Sequence, residues 1–210
     1  YLSASVLYRM LDNLSFSLST DGSINTMNAN LNEFAQPTRY SWLTAFAGKY
    51  MNDWLTISAS ALATIINEDV KEGGSAGNHR KLTPYISASF KPFYHEEFRI
   101  RFFYKDIFRL PSFNDLYYQE VGNTKLRPEN ARQYNVGLTY SKNVCPFLPY
   151  LSATIDAYYN KVTDKIIAYP TKNLAVWSMR NLGEVEIKGI DATGSLSLQP
   201  WERIRINLSG

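Results

Sequence analysis

The 210 residues carry a formal net charge of +3, and their basic side chains are dispersed rather than clustered, which argues against a nucleic-acid footprint. No run approaches the roughly 18 consecutive apolar residues of a membrane-crossing helix, and the first residues lack the basic, apolar and small-residue pattern of a signal peptide. Cys145 stands alone without CxxC or Cys/His spacing, so neither an internal disulfide nor a zinc site is indicated.

Period-two alternation runs through the chain. It predicts about ten strands, near 2–10, 13–20, 39–51, 54–66, 81–92, 98–108, 131–143, 150–163, 183–199 and 203–210. In the fourth, Leu55, Ile57, Ala59, Ala61 and Ala63 alternate with Thr56, Ser58, Ser60 and Leu62; in the fifth, Pro84, Ile86, Ala88 and Phe90 alternate with Tyr85, Ser87 and Ser89. The sixth sets Phe98, Ile100, Phe102 and Tyr104 opposite Arg99, Arg101, Phe103 and Lys105. The seventh sets Tyr134, Val136, Leu138 and Tyr140 opposite Gln133, Asn135, Gly137, Thr139 and Ser141, and the eighth sets Leu151, Ala153, Ile155, Ala157 and Tyr159 opposite Ser152, Thr154, Asp156, Tyr158 and Asn160. No helical periodicity competes.

Short turns at Leu11–Asn13, Asn52–Asp53, Tyr94–Glu97, Val144–Pro149 and Pro200–Glu202 alternate with longer polar stretches at 21–38, 67–80, 109–130 and 164–182. That rhythm suits an antiparallel meander with tight turns at its periplasmic end and long loops at its extracellular end. Aromatics gather beside the short turns, among them Tyr50, Trp54, Phe93, Phe98, Phe147, Tyr150 and Trp201, where rings would mark the inner membrane–water interface. The segments are also nearer the roughly 9–11 residues of a membrane-spanning strand than the usual 5–6. The fold class expected is all-β: an antiparallel up-and-down meander forming part of a large transmembrane β-barrel, incomplete here. Tyr1 and Gly210 both fall inside alternating runs, which points to a piece of a larger protein.

The longest organised loop reads F-R-L-P-S-F-N-D-L-Y-Y from Phe108 to Tyr118, then G-N-T-K-L-R-P-E from Gly122 to Glu129. Pro111 and Pro128 lack an N–H and belong outside a ladder, and Gly122-Asn123 is a turn-forming pair. Asn123, Glu129 and Arg109 are suited to satisfying the loop's own backbone groups, as a long ordered loop requires. The loop resembles a signature of the TonB-dependent receptors, carried here by Arg109, Pro111, Phe113, Leu116, Tyr117, Gly122, Asn123, Leu126, Pro128 and Glu129. D-A-Y-Y-N-K-V-T-D-K-I from Asp156 to Ile166 and N-L-G-E-V-E-I-K-G-I-D from Asn181 to Asp191 are similar to the strands that follow it.

The resemblance implies a bacterial outer-membrane barrel of about 22 strands blocked by an N-terminal plug, of which residues 1–210 would be part of the barrel domain alone. It implies uptake of a scarce ligand, such as an iron–siderophore complex, cobalamin, haem or a glycan, energised by the TonB complex through the plug. Outer-membrane lipid is the implied surroundings, a small molecule or metal chelate the implied ligand, and no resident cofactor or enzymatic step is expected. Arg99, Arg101 and Lys105, with Arg109 if the register continues, would form a basic stripe facing the lumen, held chiefly by acidic plug residues and less by ligand. Haem is disfavoured, because no histidine lies between Phe108-Arg109-Leu110-Pro111 and Asn123-Thr124-Lys125-Leu126. His79 in a Gly-rich loop and His95 in a short turn are both expected in solvent, and neither has metal-ligand spacing. Asp12 and Asp21 sit in no calcium-loop pattern; the sequence holds no GxSxG, HExxH or P-loop. A rival reading is a soluble β-sheet carbohydrate- or protein-binding module using Tyr117, Tyr118 and Trp177 as its platform.

Overall fold

The computed structural model describes residues 1–119, 121–171, 177–201 and 204–210. Its strands are β1 (Leu2–Leu11), β2 (Leu14–Thr26), β3 (Thr38–Met51), β4 (Leu55–Asp69), β5 (His79–Phe90), β6 (Glu97–Arg109), β7 (Glu129–Lys142), β8 (Tyr150–Pro170), β9 (Trp177–Trp201) and β10 (Ile204–Ser209). They pair antiparallel in strict sequence order as one ten-stranded sheet, with β1 and β10 at its edges. The meander is as the sequence predicts, and the short–long alternation of connections holds from β1 to β8.

Cross-strand register turns the alternation into continuous rows. Ile57, Ala88, Phe102, Val136, Ala157 and Ile190 stand opposite one another from β4 to β9 on one face. Thr56, Ser89, Arg101, Gly137, Asp156 and Asp191 form the matching row on the other face. On the apolar face Phe102 is 41% exposed, Val136 51% and Ile190 76%, and the substantial contacts between the described elements are all between consecutive strands. An uncovered apolar face of this extent is foreign to a water-soluble sheet and proper to a bilayer-spanning one. The soluble-module reading fails on it.

Rings bracket the apolar face. At the short-turn end Trp54 meets Phe90 edge-on at 5.8 Å, and Phe93 lies 5.9 Å from Phe98. At the long-loop end Tyr104, Tyr134 and Tyr159 stand side by side on β6, β7 and β8, with centroids 5.0 and 6.0 Å apart. Immediately beyond that tyrosine row the same face turns charged, with Asp106, Arg132, Lys161 and Glu186 in one cross-strand row. The switch from rings to charges marks the outer interface.

The structure departs from the predicted elements in several places. β2 continues through Asp21 and Gly22 to Thr26, so the first long loop is shorter than the expected 21–38. Most of the expected loop 164–182 is strand: β8 runs 21 residues and β9 25. This hairpin projects beyond the interface, where no lipid-facing side is required, so its charged residues look like loop composition while its backbone stays paired. Residues 172–176 of that loop, and Glu202 and Arg203 at the last turn, lie outside the described residues. A five-residue helix, α1 (Phe113–Tyr117), sits in the long connection after β6.

The ladder between β5 and β6 is short. It runs only from Tyr85↔Lys105 to Phe90↔Ile100, whereas β5 stays paired with β4 up to Ile66↔His79. Pro84, which has no N–H to donate, stands where the pairing stops. Above it residues 79–84 and 106–109 part, the latter still bonded to β7.

Candidate functional site

The long connections meet at the outer rim of the sheet, and α1 is their hub. Ser112 caps it: its hydroxyl accepts the Asp115 N–H at 3.2 Å, and the Asp115 carboxylate accepts the Ser112 N–H at 2.8 Å. This reciprocal capping box fixes a helix too short to persist alone. It turns Leu116 and Tyr117 into a buried cluster with Leu126 and Ile166, against which Ala35, Val70, Ala76, Phe113 and Met179 pack. Residues from the β2–β3, β4–β5 and β6–β7 connections and from the β8–β9 hairpin thus share one small core.

A polar lock runs through that core. The Tyr117 hydroxyl donates to the Glu68 carboxylate and accepts the Ala76 N–H at 3.1 Å. Glu68, whose side chain is 2% exposed, also receives Arg39 Nε at 2.7 Å and Nη2 at 2.6 Å. The Arg39 guanidinium in turn lies over the Phe113 ring at 4.7 Å. A buried carboxylate is tolerated here because it is ion-paired and hydrogen-bonded. Burial, together with the neighbouring Glu68 carboxylate, pushes the Tyr117 hydroxyl up to about 12.

The second half of the signature loop clasps the hairpin. Asn123 donates from Nδ2 to the Met179 carbonyl at 2.9 Å and accepts the Lys125 N–H at 3.0 Å. Glu129 is buried, accepts the Ile166 N–H at 2.6 Å, and lies 3.2 Å from Arg109 and 3.6 Å from Lys165. The Arg127 N–H donates to Asn181 Oδ1 at 2.9 Å, while Asn181 Nδ2 donates to the Arg127 and Asp164 carbonyls, each at 2.8 Å. Asp164 holds a φ of +56° in the midst of β8, a strained conformation that these bonds stabilise. Pro111 is fully buried, and a Cβ on Gly122 would stand 2.7 Å from the Leu116 carbonyl oxygen.

The structure brings the signature residues Arg109, Pro111, Phe113, Leu116, Tyr117, Gly122, Asn123, Leu126, Pro128 and Glu129 into this collar. It separates them from the basic stripe. Arg101 lies on the polar face and spans β7 to Asp156, with Nη2 3.0 and 2.9 Å from the two carboxylate oxygens. Arg99 stands 3.9 Å from Glu97, and Lys105 is exposed. Arg109 leaves the stripe for Glu129 and Asp115 at the rim.

Two sequence expectations are corrected. Tyr117 is buried rather than an exposed platform, because α1 points it inward, while Tyr118 and Trp177 remain exposed. His79 is no loop residue in solvent: it opens β5 with its ring 6.4 Å from Phe108. Sequence reasoning missed Arg39, Glu68 and the tyrosine row. The Cα partnership Arg39↔Glu68 is visible only once register is known, and no motif flags it.

A family model described as "TonB dependent receptor-like, beta-barrel" matches residues 7–210. Over 84 residues the chain is 34% identical to "Vitamin B12 transporter BtuB" of Vibrio vulnificus (strain YJ016), which is 40% of this chain and 13% of that relative. Among solved structures, "Copper transporter OprC" superposes with a TM-score of 0.72 at 12% identity, over 99% of this chain and 36% of that one. The FrpB iron transporter from Neisseria meningitidis (F5-1 variant) superposes with a TM-score of 0.70 at 13% identity, over 99% and 35%. The chain therefore spans about a third of the length of the barrels it superposes on.

Proposed function

The chain belongs to the TonB-dependent receptor-like β-barrel family, a family of bacterial outer-membrane proteins, and from that premise we propose that it is part of the wall and mouth of a receptor importing a cobalamin-type ligand. The observation that carries the reading is the collar: one buried core and one polar lock hold the outer loops in a fixed shape above a membrane-spanning wall. A preformed rim loses little entropy when it captures a dilute ligand. The 34% identity to a vitamin B12 transporter favours cobalamin over an iron–siderophore complex. Import would draw on the TonB complex through a plug domain, and the receptor would leave its ligand chemically unchanged.

Binding of cyanocobalamin to the intact receptor, measured by equilibrium retention on outer-membrane vesicles, tests the proposal. Saturable retention that is lost when α1 is replaced by a Gly/Ser linker, with the barrel still folded, is the expected result. Retention of a ferric chelate with none of cyanocobalamin would move the assignment to iron uptake and sink the cobalamin reading.

A further inference from the structure

Above the pair Tyr85↔Lys105 the wall runs as two leaves. β5 stays paired with β4 as far as Ile66↔His79, and β6 stays paired with β7 as far as Arg109↔Glu129, but the ladder between β5 and β6 has ended. Pro84 stands at the parting and has no N–H to carry the ladder further. Residues 79–84 form an arm of about 20 Å above the last shared pair, at roughly 3.3 Å a residue.

Each leaf holds its own loops as one body. On the first, the Lys71 N–H donates to the Ala35 carbonyl at 2.9 Å, Lys71 Nζ donates to Gln36 Oε1 at 2.9 Å, and Asn78 Oδ1 accepts the Glu68 N–H at 3.0 Å. Arg39 grips Glu68 across β3 and β4, so the β2–β3 and β4–β5 connections are tied together. On the second leaf, Asn123, Arg127 and Glu129 tie the signature loop to the β8–β9 hairpin. Among the described residues, the hydrogen bonds outside the ladder that cross between the leaves above Tyr85 are those of the Tyr117 hydroxyl, which donates to Glu68 and accepts the Ala76 N–H. Around it the crossing is made by packing: Arg39 over Phe113, His79 beside Phe108, and the Leu116 cluster against Ala35, Val70 and Ala76.

Strand pairing joins the leaves below and the packing of α1 joins them above, which is the construction of a hinge with a catch. We propose that the outer wall opens as two leaves about Tyr85↔Lys105, with α1 as the catch. While Tyr117 is seated against Glu68 and Ala76 the mouth is closed; when α1 lifts, the leaves swing apart and widen it with every strand still paired inside its own leaf. The device is independent of the cargo, so it stands whether or not the ligand is a cobalamin.

Spin labels on the intact receptor in outer-membrane vesicles, with the exposed Cys145 replaced by serine, measure the swing. One pair, at Arg80 and Leu182, spans β5 to β9 above the hinge; a second, at Ile86 and Ile190, spans the same strands where all the ladders are intact, and all four positions are exposed. The variant L116A/Y117F, shown to be folded by its heat-dependent gel shift, is expected to lengthen the Arg80–Leu182 distance by about 5 Å, the travel of an arm of about 20 Å turning through about 15°. Its Ile86–Ile190 distance is expected to match the wild type. Adding Pro84→Thr to that variant, which restores the N–H, is expected to return the first distance to its wild-type value. An unchanged Arg80–Leu182 distance in L116A/Y117F would overturn the proposal. So would equal lengthening of both pairs, which would show a wall slackened throughout, or a Pro84→Thr form that stays open. The wild type supplies a check that leaves the catch untouched: amide protons of residues 79–83 are expected to exchange faster than those of 85–90, and equal protection of the two would also overturn it.

Discussion

Arg101 reaches Asp156 across an intervening strand because the residue between them is Gly137. A Cβ at position 137 would stand 2.2 Å from Asp156 Oδ1 and 2.8 Å from Arg101 Nη2. Asp156 in turn faces Asp191 directly on β9, and like charges in opposed positions are destabilising. The guanidinium therefore serves a carboxylate that would otherwise confront another.

The first prediction follows from that triad. Arg101→Ala should destabilise the barrel modestly, by about 1 kcal/mol or less, because both partners are partly solvated. Asp191→Asn should be close to neutral alone and should restore most of the loss in the Arg101→Ala background. Thermal melts of the four combinations give the coupling, and full additivity would show that Asp191 is not repelled by Asp156.

Tyr117→Phe should loosen the collar without touching the wall. It removes the donor to Glu68 and the acceptor for the Ala76 N–H, leaving a buried carboxylate with one partner fewer, at a cost of about 1–3 kcal/mol. Hydrogen exchange should quicken at residues 68–78 while β6 and β7 keep their protection. Unchanged exchange over 68–78 would show that Tyr117 contributes packing alone.

The same hydroxyl sets a pH window. Its folded value, about 12, lies above the ordinary 10.0, so its stabilisation is fully present below about pH 10 and is lost as pH rises through about 12. Ionisation would also place a phenolate against Glu68. Protease sensitivity of the outer loops should climb between those limits in the wild type. In Tyr117→Phe it should be high from the start and rise little in that window.

The strands were legible because a membrane wall exposes one lipid face and one polar face, and that asymmetry writes period two into the segments that cross it. The hairpin beyond Thr163 was misread because it stands clear of the lipid, so Lys165, Arg180 and Glu184 are not set against an apolar lipid-facing row. The signature loop was legible as an ordered loop from Pro111, Gly122 and Pro128. Its partners were not, since Arg39 and Glu68 lie on other strands and join Tyr117 only through register and loop closure. The parting of β5 from β6 was equally hidden: Pro84 fits the alternation of its strand, and its missing N–H matters only once β6 is known to be the neighbour on that side.

Gly122 offers the sharpest test of the collar. It needs no positive φ, so any penalty for a larger residue is steric. A Cβ there meets the Leu116 carbonyl oxygen and the Tyr118 nitrogen, both at 2.7 Å, and backbone atoms cannot swing aside as a side-chain end can. Gly122→Ala should therefore push the 121–126 turn off α1 and break the Asn123 N–H bond to the Asp115 carbonyl, 2.9 Å in the wild type, at a cost on the order of 2–3 kcal/mol. Gly183→Ala is the matched control: a Cβ there meets nothing within 4 Å, and its effect should stay within about 0.5 kcal/mol. Limited proteolysis of the intact receptor should then cut the Gly122→Ala rim faster than both the wild type and Gly183→Ala. Equal cutting of the two variants would show that the turn yields without disturbing the helix, and the collar would be less rigid than its packing implies.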